Sequence, residues 1–224
     1  MADQARFELF SYWRTSATYR VRVALNLKGL VADETNIDID RGEQRSASFL
    51  KVNPMGAIPA LLDRENTSAP LTQSLAILEF LDEIVPAPAL LPADAHGRAR
   101  VRSLAAMLAG DTHPLLTPRI KKYLLSEGRF DDAMWRQWQI HWFTTGLQAF
   151  ESRLQKETGT GKYCHGDEVT LADICLASIL VVMRVFKIEV TDIPTINHIM
   201  ARLESLPAFI AADPYRQVGA PETA

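Results

Sequence analysis

The chain has 224 residues, with 24 Lys and Arg against 27 Asp and Glu and a formal charge of −3. That balance excludes a nucleic-acid binder held by a broad basic surface, and a hydrophobic content of 47% excludes a disordered chain. Two cysteines, Cys164 and Cys175, are too few for a disulfide scaffold or a cysteine-rich zinc site and fit a reducing cytosol.

The start, MADQARFELF, has no long apolar stretch, so no secretory leader is expected. The best apolar run, residues 174–183, is shorter than the about 20 residues a spanning helix needs. Residues 7–10 predict a first strand. Thr15 and Ser16 offer capping hydroxyls before Tyr19, Val21, Val23, Ala24 and Leu27, which predicts a helix ending at Gly29. Residues 31–39, with Thr35, Ile37 and Ile39, return to β-prone types. A β-α-β unit this short pairs its strands in parallel.

Residues 41–52 are polar and predict a short helix, and Asn53-Pro54-Met55-Gly56 a turn. Residues 60–62 predict a strand, 63–67 a polar connection and 69–71 the return strand, in which Pro70 suits an edge. Thr72-Gln73-Ser74 precede Leu75, Ile77, Leu78 and Leu81, the spacing of a helix. Residues 85–92, with three prolines, read as a linker. Beyond it, helices are predicted over 95–109, 115–123, 131–156, 170–186 and 193–203, with no further strand. Thr170-Leu171-Ala172-Asp173 has the form of a capping box, a structural feature. The expected fold is an α/β unit over 1–86 followed by an all-α unit over 93–224.

Thr15 and Ser16 stand at a strand-to-helix junction, where free N–H groups and the positive end of the helix dipole favour an anion. A thiolate placed there has its pKa lowered and can take a hydrogen bond from a hydroxyl. Taken alone, Ser16 reads as an ordinary helix cap. Arg14, Arg20 and Arg22 add positive potential nearby. Gln73 and Ser74 open another helix and suit a carboxylate, with Thr72 as the competing cap. Ile58-Pro59 precedes a strand, and a cis proline would leave the Ile58 backbone to pair with a peptide-like ligand. His113 suits a base, a ligand or a capped surface residue. The five histidines show no metal spacing, and there is no GxGxxG, P-loop or GxSxG motif. Trp135, Trp138, Trp142 and Phe143, at helical spacing, fit core packing or a dimer face.

Four segments in order resemble the glutathione transferase superfamily, and within it the zeta class that includes maleylacetoacetate and maleylpyruvate isomerases. They are SYWRTSATYRVRVAL at 11–25, NPMGAIPAL at 53–61, QSLAILEFL at 73–81 and GKYCHGDEVTLAD at 161–173. The resemblance implies a thioredoxin-like N-terminal domain that binds glutathione and an all-helical domain for a small electrophile. It also implies a cytoplasmic homodimer with no metal, nucleic acid or membrane, working in aromatic amino acid catabolism. Ser16 matches the hydroxyl that activates the glutathione sulfur, with Thr15 and Arg14 beside it. Ile58, before a cis Pro59, matches the backbone partner of the cysteinyl part, Gln73 and Ser74 the γ-glutamyl contacts, and Gln44 a glycine-end contact. His113 falls where the first C-terminal helix lines the cleft and is implied, with Pro59, as a glutathione contact, and Tyr12 and Arg184 fall on the substrate side.

The chain departs from the zeta pattern in places. Ala17 stands for Cys, Thr15 for the first Ser and Tyr19 for Trp. The connection from Pro59 to Gln73 is longer. Ile179 and Val182 occupy usually polar positions, and Arg184 comes one residue early. The implied activity is glutathione-dependent cis–trans isomerisation of maleylacetoacetate-type acids. The alternatives are a transferase conjugating apolar or halogenated electrophiles, and a non-catalytic scaffold on the same fold. A thiol–disulfide oxidoreductase needs a cysteine in the first turn, where this chain has Thr15, Ser16 and Ala17.

Overall fold

The computed structural model describes residues 4–66 and 69–222. Thr67, in the expected connection 63–67, lies outside the described residues. The chain divides into two compact units, Met1–Leu90 with Ser205–Ala224, and Leu91–Glu204.

The first unit opens with β1 (Phe7–Ser11), α1 (Ser16–Leu27) and β2 (Ala32–Asn36), followed by a single turn of helix, α2 (Phe49–Val52). It continues with β3 (Ala60–Asp63), β4 (Leu71–Thr72) and α3 (Ser74–Ile84). The sheet order is β2-β1-β3-β4. β1 and β2 are parallel, with Phe7 opposite Ala32, as the short β-α-β unit requires. β3 runs antiparallel to both β1 and β4. Phe7, Leu9, Leu61, Ile77, Leu78 and Leu81 are each at most 1% exposed. Each such side chain contributes roughly 1.5–3 kcal/mol by leaving water. β2 and β4 are shorter than the predicted 31–39 and 69–71, because both are edge strands with one neighbour. Pro70 precedes the edge strand, where its missing N–H costs no ladder bond.

α1 stops where the sequence places its glycine. Gly29 takes φ +64°, and the Lys28 and Leu30 N–H groups close on Ala24 and Leu25 carbonyls. The Lys28 ammonium, its side chain fully buried, bonds Asp82 and the Val85 and Pro88 carbonyls. It thereby ties α1 to the end of α3 and to the proline-rich segment.

The second unit holds α4 (Ala95–Ala106), α5 (Pro118–Ser126), α6 (Asp132–Lys156), α7 (Leu171–Phe186) and α8 (Pro194–Leu203). The helix expected over 95–109 ends early. Met107–Thr112 widens into a π-helical turn and His113–Leu116 tightens into a 3₁₀ turn. Thr112 Oγ1 donates to the Met107 carbonyl at 2.8 Å. A Cβ on Gly146 of α6 would lie 2.3 Å from that oxygen, so glycine gives the widened turn its room. The helix expected at 115–123 is α5, displaced because Pro118 is preorganised for a first helical position.

The expected all-α unit spans 93–224, whereas the second compact unit ends at Glu204 and the described residues from Ser205 onward group with the first. Its short helix α9 (Pro207–Ala211), unmarked by any long apolar period, packs on α1 through Phe209, 3% exposed. Asn26 Nδ2 donates to the Ala208 carbonyl at 2.9 Å, and the Trp13 and Tyr215 rings lie 5.8 Å apart.

Candidate active site

The first unit brings two helix starts together. Thr15, extended at φ −81° and ψ 130°, is the N-cap of α1, and Ser16 is its first helical residue. The cap position expected for Ser16 therefore belongs to Thr15, and the Thr15 hydroxyl does not cap. It donates instead toward Thr18 Oγ1 at 2.6 Å and the Tyr12 carbonyl at 3.3 Å. Thr15 is half-buried, whereas Ser16 is 2% exposed. The first N–H groups of α1 lie beyond its i→i−4 ladder and carry the positive end of the helix dipole.

α3 starts with a distorted link. Gln73, exposed, is its N-cap at φ 68° and ψ 111°, a region that non-glycine residues rarely visit. Such a backbone costs on the order of 1–3 kcal/mol and clusters at ligand-holding positions. Thr72, the competing cap, closes β4 instead. Ser74 is 7% exposed.

Arg20 joins the two starts. It lies one turn below Ser16, is 2% exposed, and donates from Nη2 to Ser16 Oγ and from Nη1 to Ser74 Oγ, each at 3.1 Å. The i, i+4 spacing of Ser16 and Arg20 is visible in the sequence, but the Ser74 contact is not.

Around these starts sit the remaining predicted residues of this unit. The Ile58–Pro59 peptide is cis and leads directly into β3. Gly56, at φ +57°, brings the turn before it against residues 44 and 45: a Cβ there would lie 2.8 Å from the Gln44 carbonyl. Gln44 Nε2 donates to the Ile39 carbonyl at 3.3 Å, while its Oε1 is buried with no hydrogen-bond partner among the described residues.

Tyr12, 6% exposed, donates to Asp40 Oδ2 at 2.7 Å, and Arg14 pairs with the same carboxylate. Burial first, then the Asp40 bond, push the Tyr12 hydroxyl up to about 12. The Arg14 guanidinium also lies over the Tyr12 and Trp13 rings. Asp40, on the loop after β2, carried no signal in the sequence.

Family models for the glutathione S-transferase N-terminal domain and C-terminal domain match residues 5–83 and 145–207. This chain belongs to the glutathione S-transferase family. A Vibrio cholerae serotype O1 protein named "Probable maleylacetoacetate isomerase" is 41% identical over 93% of this chain and 96% of its own. The crystal structure of maleylacetoacetate isomerase from Methylobacterium extorquens AM1, with bound malonate and glutathione, is 43% identical. It superposes with a TM-score of 0.92 over 96% of this chain and 99% of that one. The holo structure of a maleylpyruvate isomerase, a bacterial zeta-class transferase, gives 0.90 at 37% identity over 96% and 100%.

The other predicted residues of this family member lie in the second unit. His113 opens the 3₁₀ turn after the π-helical turn. Arg184, exposed on α7, pairs with Glu204 at 3.7 Å. Ile179 and Val182 are 1% and 8% exposed, packed as core. Cys164 and Cys175 are both fully buried, and neither is in a disulfide. Burial first, then the Asp173 charge and hydrogen bond, push the Cys164 thiol well above its ordinary value, the opposite of what a reactive thiol needs. Among the described residues no group of three or more His, Cys, Asp and Glu could hold a metal, and no helix is long and apolar enough to cross a membrane.

Proposed function

We propose that this protein is a glutathione-dependent cis–trans isomerase of the zeta type, acting on a small unsaturated acid of the maleylacetoacetate kind. The observation that carries this is the pairing of the α1 and α3 starts through Arg20. It presents a hydroxyl and a helix dipole at one start and a strained Gln73 at the other. Relatives that cover nearly the whole chain bear isomerase names.

Bound glutathione supplies a thiolate nucleophile for reversible addition to a conjugated double bond. The protein's own residues divide the remaining work. The sulfur is assigned to the half-buried Thr15 hydroxyl rather than to the buried Ser16 Oγ, with the Thr15 proton turning from Thr18 Oγ1 to the thiolate when glutathione binds. Thr15 and the first N–H groups of α1 favour the ionised thiol. Gln73, Ser74 and the start of α3 take the γ-glutamyl carboxylate. The Ile58 backbone, before Pro59, pairs with the cysteinyl part. Arg14 meets the carboxylate of the acid. The first unit is thus assigned glutathione, with His113 as a further glutathione contact, and the helical unit, with Arg184, the electrophile. A cytosolic homodimer is the form this assignment carries, and two buried reduced cysteines fit a reducing compartment.

The test is a glutathione-dependent panel of maleylacetoacetate, maleylpyruvate, a chlorinated organic acid and an aromatic halide, with glutathione affinity measured by calorimetry. Isomerisation of the two maleyl acids is expected. Conjugation of the halide with no isomerisation would make the protein a conjugating transferase, and no glutathione binding would make it a scaffold.

A further inference from the structure

We propose that Arg20 is a positioning residue for the thiol chemistry: one buried guanidinium holds the hydroxyls that open α1 and α3 and keeps a fixed positive charge behind the sulfur position. Arg20 is on α1, and Ser74 is 54 residues away on α3. Both hydroxyls accept at 3.1 Å from the two terminal nitrogens of one planar fork. The distance between the two helix starts is therefore limited by a rigid group rather than by loop packing. Burying an arginine is expensive, and an apolar residue at 2% exposure would pack the α1–α3 interface more cheaply. The guanidinium instead does two things that no aliphatic side chain does.

It orients the serines. An N–H aimed at Ser16 Oγ and another at Ser74 Oγ occupy an acceptor lone pair on each, so both hydroxyl protons turn away from Arg20. It also adds charge. Arginine stays protonated at any working pH, so the field at the α1 start does not depend on another titration. That field adds to the helix dipole in favouring a thiolate beside Thr15.

The proposal rests on the glutathione reading above, and its test separates the two. The pKa of the bound glutathione thiol is followed by ultraviolet thiolate absorbance in wild type, Arg20→Gln and Arg20→Lys. Arg20→Gln is expected to leave roughly tenfold less thiolate at a pH below the thiol pKa. Turnover should fall in proportion there and recover as pH rises, a rescue that a merely structural defect would not give. Arg20→Lys keeps the charge but not the fork, so it should restore the thiolate while raising the KM for glutathione several-fold.

A folded Arg20→Gln enzyme that ionises bound glutathione as wild type does overturns the proposal. If that variant does not fold, Arg20→Lys decides: a raised KM supports the fork and a wild-type KM overturns it. If neither folds, the residue is structural and the proposal is overturned. A wild-type protein that binds no glutathione sinks the functional reading instead, before any Arg20 variant is compared.

Discussion

Tyr12 donates its phenolic proton to Asp40 at 2.7 Å, and Arg14 forms an ion pair with the other oxygen of that carboxylate. One acidic side chain thus holds two residues assigned to the substrate side. Arg14 is offered to an incoming carboxylate only in competition with Asp40.

Asp40→Asn should relieve that competition. The Asp40 side chain is 54% exposed, so the effect is small: about a threefold lower KM for a maleyl acid, with the KM for glutathione unchanged. A neutral aromatic halide should not respond. Steady-state kinetics with both electrophiles decides the matter, and an equal change in the two would remove Arg14 from carboxylate recognition.

Thr15→Ala and Ser16→Ala should separate two hydroxyls that adjoin in sequence. Loss of a donor aimed at developing charge costs on the order of 10²-fold in turnover. That loss is expected for Thr15→Ala, with glutathione affinity little changed and Thr15→Ser restoring activity. Ser16→Ala instead leaves an Arg20 N–H without its acceptor inside the fold, at about 1–3 kcal/mol of stability. Thermal unfolding should register it more than turnover does. The reverse pattern would return the sulfur-facing role to Ser16.

These two serine and threonine positions mark the limit of what was legible. Alternation and turn residues gave the β-α-β start, the Gly29 stop and the linker, because each is a local property of the chain. The motif segments pointed to residues 15, 16, 58, 73 and 74. Which of two adjacent hydroxyls is buried depends on the phase at which α1 sits on the sheet, and that is a tertiary fact. The Arg20–Ser74 bond spans 54 residues and the Tyr12–Asp40 bond 28, with no local pattern to announce either. The grouping of the residues around α9 with the first unit has no local signal, because α9 has only five residues, too few to show a period.

Asp173 is expected to carry stability and no catalysis. It accepts from the Cys164 and Thr170 N–H groups, each at 2.8 Å, and from Thr170 Oγ1 at 2.9 Å. It therefore closes the capping box of α7 and pins the preceding loop to the helix. Asp173→Ala strands these donors in a fully buried site and should cost about 2–3 kcal/mol. Unfolding should show the loss, while the KM for glutathione of the remaining folded protein stays at the wild-type value. A selective loss of turnover at full stability would contradict this.

The Arg22–Glu34 pair gives the fold a dependence on acid. Arg22 Nε and Nη2 donate to the Glu34 carboxylate at 2.7–3.1 Å, and Ser11 Oγ donates to it at 2.6 Å. Arg22 also reaches the Trp13 carbonyl at 3.4 Å, so the pair braces the chain entering α1. Burial pushes the Glu34 carboxyl up, but the Arg22 bonds and charge and the Ser11 hydroxyl outweigh it and leave the group below its ordinary value.

A carboxyl depressed in the folded state adds stability above its unfolded pKa, and that stability is lost as pH falls through the folded value. Glu34→Gln should therefore be less stable than wild type at neutral pH. The Arg22 side chain is 5% exposed and that of Glu34 31%, between the buried and surface cases, which sets the loss at about 2 kcal/mol. In a chain of this length that is roughly 4–8 °C in Tm. The gap should close as the pH is lowered past the carboxylate range, because wild-type Glu34 is then protonated too. Melting curves of both proteins across that range provide the check. A gap of constant size would mean that Glu34 acts through packing and not through its charge.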